Sequence, residues 1–186
     1  MLMEYLAKGK RGIVYLDKRK GKKVVVKMQR QDITIHTLEN EAHWLKILNK
    51  HNIGPKIIDF SNGKLTMEYV EGKPLQEWYK KASKDEKKKV IKSVLSQCRT
   101  MDILQVNKLE MHNPVKHILI RKAKPVMIDF ERCKKTPTPK NVTQFCQFLL
   151  KLGMPMDLEL ENLLKIYKKS QDDASFKKII KKVLSL

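Results

Sequence analysis

Short β-branched runs alternate with turn-forming residues in the first quarter of the chain. Residues 12–16 are Gly-Ile-Val-Tyr-Leu, and residues 23–27 are Lys-Val-Val-Val-Lys. Between them, residues 17–21 are mostly charged and end in glycine. Runs of this kind, bounded by turn residues, are typical of paired strands. The pattern therefore predicts a β-hairpin over residues 12–27.

A helical period follows this hairpin. The apolar positions recur three or four residues apart: Leu38, Ala42, Leu45 and Leu48. This spacing predicts one helix, and Asn-Ile-Gly-Pro at 52–55 ends it. Two apolar runs, 56–60 and 64–70, then flank the turn tripeptide Ser-Asn-Gly, which indicates a second hairpin. The predicted order is ββαββ.

The rest of the chain has a mainly helical pattern. A helix is predicted at 75–81 and another at 83–103, where Ser83 and Glu86 have the spacing of a capping box. Two short extended runs joined by a basic turn predict a small hairpin: 117–120 and 125–129. Three further stretches alternate apolar and lysine positions with helical period: 139–152, 157–170 and 173–186.

Composition adds a strong charge imbalance to this picture. The chain has 186 residues, 41% of them hydrophobic, which suits one ordinary domain or two small lobes. Its 40 Lys and Arg against 20 Asp and Glu give a formal net charge of +20. Such a field concentrates polyanions, namely tRNA, rRNA, DNA or an anionic membrane surface. A merely solubilising surface is the alternative, but thermophilic surfaces of that kind enrich Glu together with Lys.

Several classes of protein do not fit the sequence. No apolar run approaches the roughly 20 residues that span a bilayer, and the first residues do not form a signal peptide. The cysteines form no Cys-x-x-Cys pair: Cys98, Cys133 and Cys146. The five histidines do not combine with them at zinc-finger spacing. We therefore expect a cytoplasmic protein with reduced thiols, no structural zinc and no membrane segment.

Two features near the amino terminus suit phosphate. Gly9 and Gly12 flank a basic turn before a predicted strand, and glycine lets backbone amides approach phosphate closely. Lys27 ends the next strand, and Glu41 lies on the predicted helix. A lysine held by a helix glutamate can bind the phosphates of a nucleotide. Each feature alone has an ordinary alternative, a simple turn or a solvated edge lysine.

In this order the motifs resemble the amino-terminal lobe of protein kinases. Gly9, Gly12 and Val14 match the glycine-rich loop. Lys27 matches the strand lysine, and Glu41 matches the helix glutamate. Residues 67–72, with Glu68 and Val70, look like the segment that binds adenine. Asp129 and Phe130 resemble the metal-binding Asp-Phe-Gly, although Glu131 stands where glycine is usual.

The kinase resemblance implies a fold and two small ligands. The fold is α+β, a minimal protein-kinase-like bilobal fold with an antiparallel-sheet N-lobe plus one helix at 1–67. A hinge at 68–73 and a mainly helical C-lobe at 74–186 complete it. The ligands are ATP and Mg²⁺, with Asp129 and His117 as the implied metal-binding residues.

The segment that matches the kinase catalytic loop departs from the usual pattern. Kinases have His-Arg-Asp-x-x-x-x-Asn, whereas residues 110–117 are Glu-Met-His-Asn-Pro-Val-Lys-His. His112 takes the place of the aspartate and His117 that of the asparagine. An imidazole can accept a hydroxyl proton but is a poor Mg²⁺ ligand. We predict catalytic roles for four residues: His112, Lys116, His117 and Asp129. The alternative is that both histidines are structural or contact phosphate.

A narrower resemblance concerns the acceptor. No Ala-Pro-Glu segment follows Asp129, so the peptide-docking platform of protein kinases is missing. Residues 116–120 and 127–132 resemble the small archaeal RNA kinases, which phosphorylate the 2′-hydroxyl of uridine-47 in the tRNA variable loop. This resemblance implies tRNA as substrate and no obligate protein partner. Two alternatives stay open: a tRNA-binding pseudokinase, and a small atypical serine/threonine kinase or ATPase linked to tRNA modification.

Lysine-rich stretches are the predicted tRNA contacts, because neutralising phosphates requires charge more than side-chain geometry. The candidates are Lys134, Lys135, Lys165, Lys168, Lys169, Lys177 and Lys178. The alternative is an ordinary solvated helix face. Aromatic residues make up only 6% of the chain, so we expect recognition of folded RNA by shape rather than by base stacking.

Overall fold

The computed structural model describes residues 3–9, 12–30 and 37–186. The chain forms two compact units. The first comprises Met1–Glu71 and Val126–Cys133, and the second comprises Gly72–Pro125 and Lys134–Leu186. The segment Val126–Cys133 is thus grouped with the first unit, although the sequence analysis assigned it to the region 74–186. The hinge at 68–73 stays a prediction.

An antiparallel sheet of five strands forms the main part of the first unit. The strands are β1 (Glu4–Lys8), β2 (Gly12–Arg19), β3 (Lys22–Gln29), β4 (Ile57–Ser61) and β5 (Lys64–Glu68). Their order is β1-β2-β3-β5-β4. Both predicted hairpins are confirmed. The order ββαββ was incomplete, because β1 precedes it, an edge strand whose five residues are all exposed and show no apolar alternation.

One helix, α1 (Thr37–Leu48), packs on β3, β4 and β5 of the sheet. Its predicted apolar stripe is confirmed, since all four of its members are buried: Leu38, Ala42, Leu45 and Leu48. Four apolar side chains of β3 and β5 are buried as well: Val24, Val26, Leu65 and Met67. After a 3₁₀ turn at Asn49–His51, Asn52 adopts a left-handed conformation that ends the helical region.

Five helices dominate the second unit. They are α2 (Leu75–Lys81), α3 (Lys84–Ile103), α4 (Asn141–Lys151), α5 (Leu158–Ser170) and α6 (Asp173–Ser185). Each confirms a predicted helix to within about two residues at its ends. The capping box at the start of α3 is also confirmed, because Ser83 and Glu86 exchange the side-chain and backbone hydrogen bonds of that motif. The α+β fold class is therefore confirmed.

Short strands connect these helices. They are β6 (Lys73–Pro74), β7 (Val106–Asn107), β8 (Ile118–Arg121), β9 (Lys124–Met127) and β10 (Lys134–Lys135). The predicted small hairpin is confirmed as β8 and β9, and β6 pairs antiparallel with β8. β7 pairs antiparallel with β10. The two-residue strands were not predicted, because a run of that length carries no periodicity.

A buried polar cluster joins four helices of the second unit. Asp102 of α3 accepts hydrogen bonds from the backbone and side chain of Asn141 on α4 and from the Tyr167 hydroxyl on α5. Arg99 contacts the Tyr167 hydroxyl and pairs with Asp173 on α6. Burial raises the pKa of Asp102, although the bonds from Asn141 and Tyr167 oppose that shift. Removing one partner would leave a buried polar group unsatisfied, so these helices are held in register.

All three cysteines are buried, and within the described part of the chain none of them forms a disulfide. Among the helices of the described ranges, none is long and apolar enough to cross a membrane.

Candidate functional site

A lysine and a glutamate form a tight ion pair on the first unit. Lys27 of β3 donates to both carboxylate oxygens of Glu41 on α1, at 2.9 and 2.8 Å. The Glu41 side chain has no solvent exposure, and that of Lys27 is 19% exposed. Burial alone would lower the pKa of Lys27, but the charges of Glu41 and Asp129 outweigh it and raise the pKa. Lys27 therefore keeps its positive charge at neutral pH.

Asp129 completes this cluster. Its Oδ1 lies 3.4 Å from Lys27 Nζ, and its side chain is 31% exposed. The residue has φ of 65°, in the left-handed region that few non-glycine residues adopt apart from Asn and Asp. The sequence motifs that named Lys27, Glu41 and Asp129 separately thus correspond to side chains that meet. A solvent-accessible carboxylate next to a fixed cation is a suitable place for phosphate and a divalent metal.

Helix α1 also holds the segment that follows Asp129. The backbone N–H of Phe130 donates to Glu41 Oε1 at 3.2 Å. The Asn40 side-chain amide donates to the carbonyl oxygens of Glu131 and Cys133, and the Trp44 indole donates to the Cys133 carbonyl. From its sequence motif, Glu41 was predicted only as the partner of Lys27. The roles of Asn40 and Trp44 depend on contacts about 90 residues away along the chain, which no local pattern reveals.

The glycine turn lies between β1 and β2. The Gly9 N–H donates to the Gly12 carbonyl at 2.8 Å, which closes the turn. A Cβ on Gly12 would lie 3.1 Å from the Met28 carbonyl oxygen, so the close approach of β2 to β3 favours glycine there. Val14 lies directly opposite Lys27 on the neighbouring strand. The two residues inside the turn are outside the described ranges, and phosphate binding by the turn stays a prediction.

The predicted adenine-binding residues follow the central sheet. Glu68 ends β5, where its N–H donates to the Lys56 carbonyl at 2.8 Å. Val70 is buried at 8% exposure. β5 ends at Glu68, so the N–H and C=O groups of the next residues do not pair with a neighbouring strand. Adenine binding there stays a prediction.

The remaining catalytic candidates belong to the second unit. His112 ends a 3₁₀ turn at Leu109–His112 and is exposed. Its Nδ1 lies 2.7 Å from the Leu109 carbonyl oxygen. A carbonyl only accepts, so Nδ1 carries the proton, and in the neutral ring Nε2 is the acceptor. Lys116 is exposed, and the partly buried His117 has its backbone N–H bonded to the Pro114 carbonyl.

The buried polar cluster also anchors this 3₁₀ turn. The Lys108 N–H donates to Asn141 Oδ1, and Asn141 in turn donates to Asp102 and to the Val106 carbonyl. Lys108 is itself fully buried and pairs with Glu110 at 3.2 Å. These contacts fix the backbone that leads to His112. They could not be predicted from the sequence, since Asp102 and Asn141 carry no motif and act only through tertiary contacts.

The side chains around Asp129 suit a Mg²⁺ ion that binds together with the phosphates of a nucleotide. No group of three or more His, Cys, Asp or Glu forms an all-protein metal cage in the described part of the chain. Mg²⁺ in phosphoryl-transfer sites is usually held by one or two carboxylates plus substrate phosphates, which the Asp129 carboxylate can provide. The imidazole of His117 suits Mg²⁺ less well, and its metal role stays a prediction.

All seven lysines predicted to contact tRNA are exposed. Lys134 and Lys135 form β10, and the others lie on α5 and α6: Lys165, Lys168, Lys169, Lys177 and Lys178. Lys165 pairs with Glu161 one turn earlier at 2.9 Å, which an exposed pair can give up at little energetic cost. The helix pattern alone explains this exposure, so tRNA contact by these residues stays a prediction.

Comparison with known proteins places these features in one family. The family model for the RIO domain matches residues 8–147, a range that includes Gly9, Lys27, Glu41, His112 and Asp129. RIO domains form a family of atypical protein kinases. An uncharacterised protein of Methanocaldococcus jannaschii is 32% identical over 97 residues, which cover 52% of this chain and 83% of that protein.

Proposed function

The chain belongs to the RIO domain family, and on this premise we propose that it transfers the γ-phosphoryl group of ATP to a ribose 2′-hydroxyl of tRNA. The family implies kinase or ATPase chemistry in general. The observation that carries the phosphotransferase part is the meeting of Lys27 with Glu41 and Asp129. The tRNA part rests on charge and on the resemblance to archaeal RNA kinases.

The first unit supplies the groups for the nucleotide. Lys27 keeps its charge because Glu41 and Asp129 stabilise the ammonium, and it would bind phosphate oxygens. Glu41 orients that ammonium while also fixing the segment after Asp129. Asp129 would hold Mg²⁺, which supplies charge neutralisation on the phosphates when bound. Gly9 and Gly12 would present backbone N–H groups to phosphate, and Glu68 and Val70 main-chain groups to adenine.

The second unit supplies the candidate base. His112 has its Nδ1 proton engaged by Leu109, so Nε2 can accept the proton of a ribose hydroxyl as the hydroxyl oxygen attacks the γ-phosphorus. The bond between the γ-phosphorus and the oxygen that bridges it to the β-phosphate breaks. That oxygen keeps the electron pair, and ADP is the leaving group. Lys116 and His117 would contact the phosphates in this reaction.

A tRNA acceptor is supported by the charge of the chain. The net charge of +20 and the seven exposed lysines on β10, α5 and α6 suit a phosphate backbone. The resemblance to archaeal RNA kinases specifies uridine-47 of the variable loop within that class. A tRNA-binding pseudokinase is the second candidate, because a histidine stands where active kinases have a catalytic aspartate.

One experiment separates these functions. The protein is incubated with γ-labelled ATP, Mg²⁺ and unmodified tRNA, beside a parallel reaction with a mixture of proteins. Label in tRNA that is lost from a tRNA with a 2′-O-methyl group at uridine-47 supports the proposal. Label in protein only supports a protein kinase, and tRNA binding without any label supports the pseudokinase.

Lys27 and Glu41 are expected to act as one unit in catalysis. We expect Lys27→Ala to lower kcat/KM for ATP by about 10²-fold or more, because a phosphate-binding charge is lost. Glu41→Gln keeps an oxygen for the Phe130 N–H, so it isolates the effect on Lys27. The double variant should be no worse than Lys27→Ala in a double-mutant cycle of steady-state rates. Additive losses would mean that Glu41 does not act through Lys27.

The lysines of α5 and α6 are expected to determine part of the salt dependence of tRNA binding. Each lost phosphate contact lowers the slope of log K against log salt by about one. We therefore expect Lys168→Gln with Lys177→Gln to flatten the slope by about two and to weaken different tRNAs alike. Fluorescence anisotropy at several NaCl concentrations measures this. An unchanged slope would show that the contact surface lies elsewhere.

A further inference from the structure

The tip of the β2–β3 hairpin concentrates positive charge that no site above uses. Between residues 17 and 23 the only acidic residue is Asp17, and five residues are cationic: Lys18, Arg19, Lys20, Lys22 and Lys23. All five are exposed. Lys23 Nζ lies 5.6 Å from the centre of the Tyr69 ring. Considering the described residues only, none of the five cationic side chains pairs with a carboxylate, and the Asp17 carboxylate accepts from the backbone N–H of Lys18.

The strand register brings like charges together at this tip. Lys18 lies directly opposite Lys23, and Arg19 lies directly opposite Lys22. Like charges in directly opposed positions destabilise an antiparallel pair. The hairpin therefore forms despite two unfavourable cross-strand pairs in succession.

The turn of the hairpin is also locally unfavourable. Lys20 and Gly21 have φ of 48° and 75°, and a two-residue hairpin turn with two positive φ values favours Asn-Gly or Asp-Gly. The β4–β5 hairpin of the same sheet has this preferred pair, since Asn62 and Gly63 have φ of 49° and 67°. Lys20 thus departs from the residue used in the β4–β5 hairpin, although Lys122 takes the same position, with φ of 48°, in the turn between β8 and β9.

Three locally unfavourable features lie together at this exposed tip: two directly opposed pairs of like charges, and a lysine in the turn. Each of the three places positive charge at the tip. Sites where a sequence departs from its own structural preferences are often functional. The function that this chemistry serves is the binding of a polyanion, because phosphates near the tip would neutralise the opposed cations. The same contact would relieve the repulsion between them.

The distribution of charge around the tip favours one class of polyanion. Side chains alternate along each strand, so Lys18 and Lys23 point to one face of the ribbon, and Arg19 and Lys22 point to the other. A groove of folded RNA presents phosphates on both sides of an inserted ribbon, whereas a flat lipid surface meets one face only. We propose that the hairpin tip, residues 18–23, inserts between phosphates of a folded RNA. The choice of RNA rests on the proposed function.

The test compares the salt dependence of tRNA binding for two variants with equal loss of charge. The tip variant carries Lys18→Gln, Lys20→Asn and Lys22→Gln, and the control carries Lys46→Gln, Lys50→Gln and Lys64→Gln, three exposed lysines of the same unit. For an unmodified tRNA transcript, we expect the tip variant to flatten the salt slope by about two to three and to weaken binding about tenfold or more at physiological salt. The control should change the slope by less than one.

A single substitution separates binding from folding. Lys20→Asn installs the residue that the turn prefers, so we expect an unchanged or higher melting temperature together with a slope lowered by about one. Equal slopes for the tip and control variants overturn the proposal. If only the α5–α6 lysine variant changes the slope, the tip proposal fails while the tRNA substrate stands.

Two further outcomes concern the identity of the partner. If the wild-type protein shows no salt-dependent binding to tRNA, both the tRNA substrate and the tip proposal fail. If the tip variant loses binding to phosphatidylserine vesicles but keeps its tRNA affinity, the tip binds lipid, and the RNA proposal is overturned.

Discussion

Replacing Asp129 by asparagine is expected to abolish phosphoryl transfer while leaving tRNA affinity within about twofold of the wild-type value. Asn has the same shape and tolerates the φ of 65° at this position, so the fold should survive. The substitution removes the negative charge that would hold Mg²⁺ beside Lys27, and loss of such a group typically costs about 10³-fold or more in turnover. Lys27 keeps its pair with Glu41, so its position is not lost.

Transfer of label from ATP to tRNA measures this effect, with tRNA affinity measured by anisotropy on the same preparation. Asp59→Asn is a matched control, because Asp59 is an exposed carboxylate on β4 of the same unit. Wild-type protein in excess chelator should match Asp129→Asn. Near-normal turnover by Asp129→Asn would remove this carboxylate from the metal site.

Replacing His112 by alanine is expected to lower turnover by about 10²–10⁴-fold, the usual scale of general acid–base catalysis. ATP and tRNA affinities should change little, because the imidazole is proposed to act on a proton rather than on binding.

Single-turnover rates at saturating ATP and tRNA test the assignment. His51→Ala is the control, because His51 is an exposed histidine in a 3₁₀ turn of the first unit. If His112→Ala keeps normal turnover, transfer rests on positioning and electrostatics alone, which a loose phosphoryl-transfer transition state permits. If the wild-type protein transfers no phosphate to any RNA or protein, the result supports the tRNA-binding pseudokinase instead of the kinase.

The parts of the fold that the sequence predicted are those with a strong local signal. Helix α3 combines a capping box with a regular apolar stripe, and β3 has three consecutive valines shortly after a turn that contains glycine. β1 could not be found in this way, since it is an exposed edge strand stabilised by pairing with β2. The two-residue strands exist only because distant segments meet, and no local propensity encodes them.

In the candidate site, too, only the residues that belong to a sequence motif could be predicted. Lys27, Glu41 and Asp129 were found because each belongs to a motif with a known order along the chain, and their roles stay predictions. Asn40, Trp44, Asp102 and Asn141 were not assigned roles, because each acts through hydrogen bonds to residues about 35 to 95 positions away. A single sequence gives local preference and motif order, but not which distant carbonyl a side-chain amide meets.

The attachment of α1 to the segment after Asp129 has a consequence for how activity can be switched. Moving α1 so that Glu41 leaves Lys27 would also break the hydrogen bonds of Asn40, Glu41 and Trp44 to residues 130–133. Four such bonds represent about 2–6 kcal/mol, a large share of the 5–15 kcal/mol that holds a typical domain folded. An off state reached by swinging this helix outward is therefore costly. The arrangement favours an enzyme that stays assembled and is controlled by the supply of its substrates.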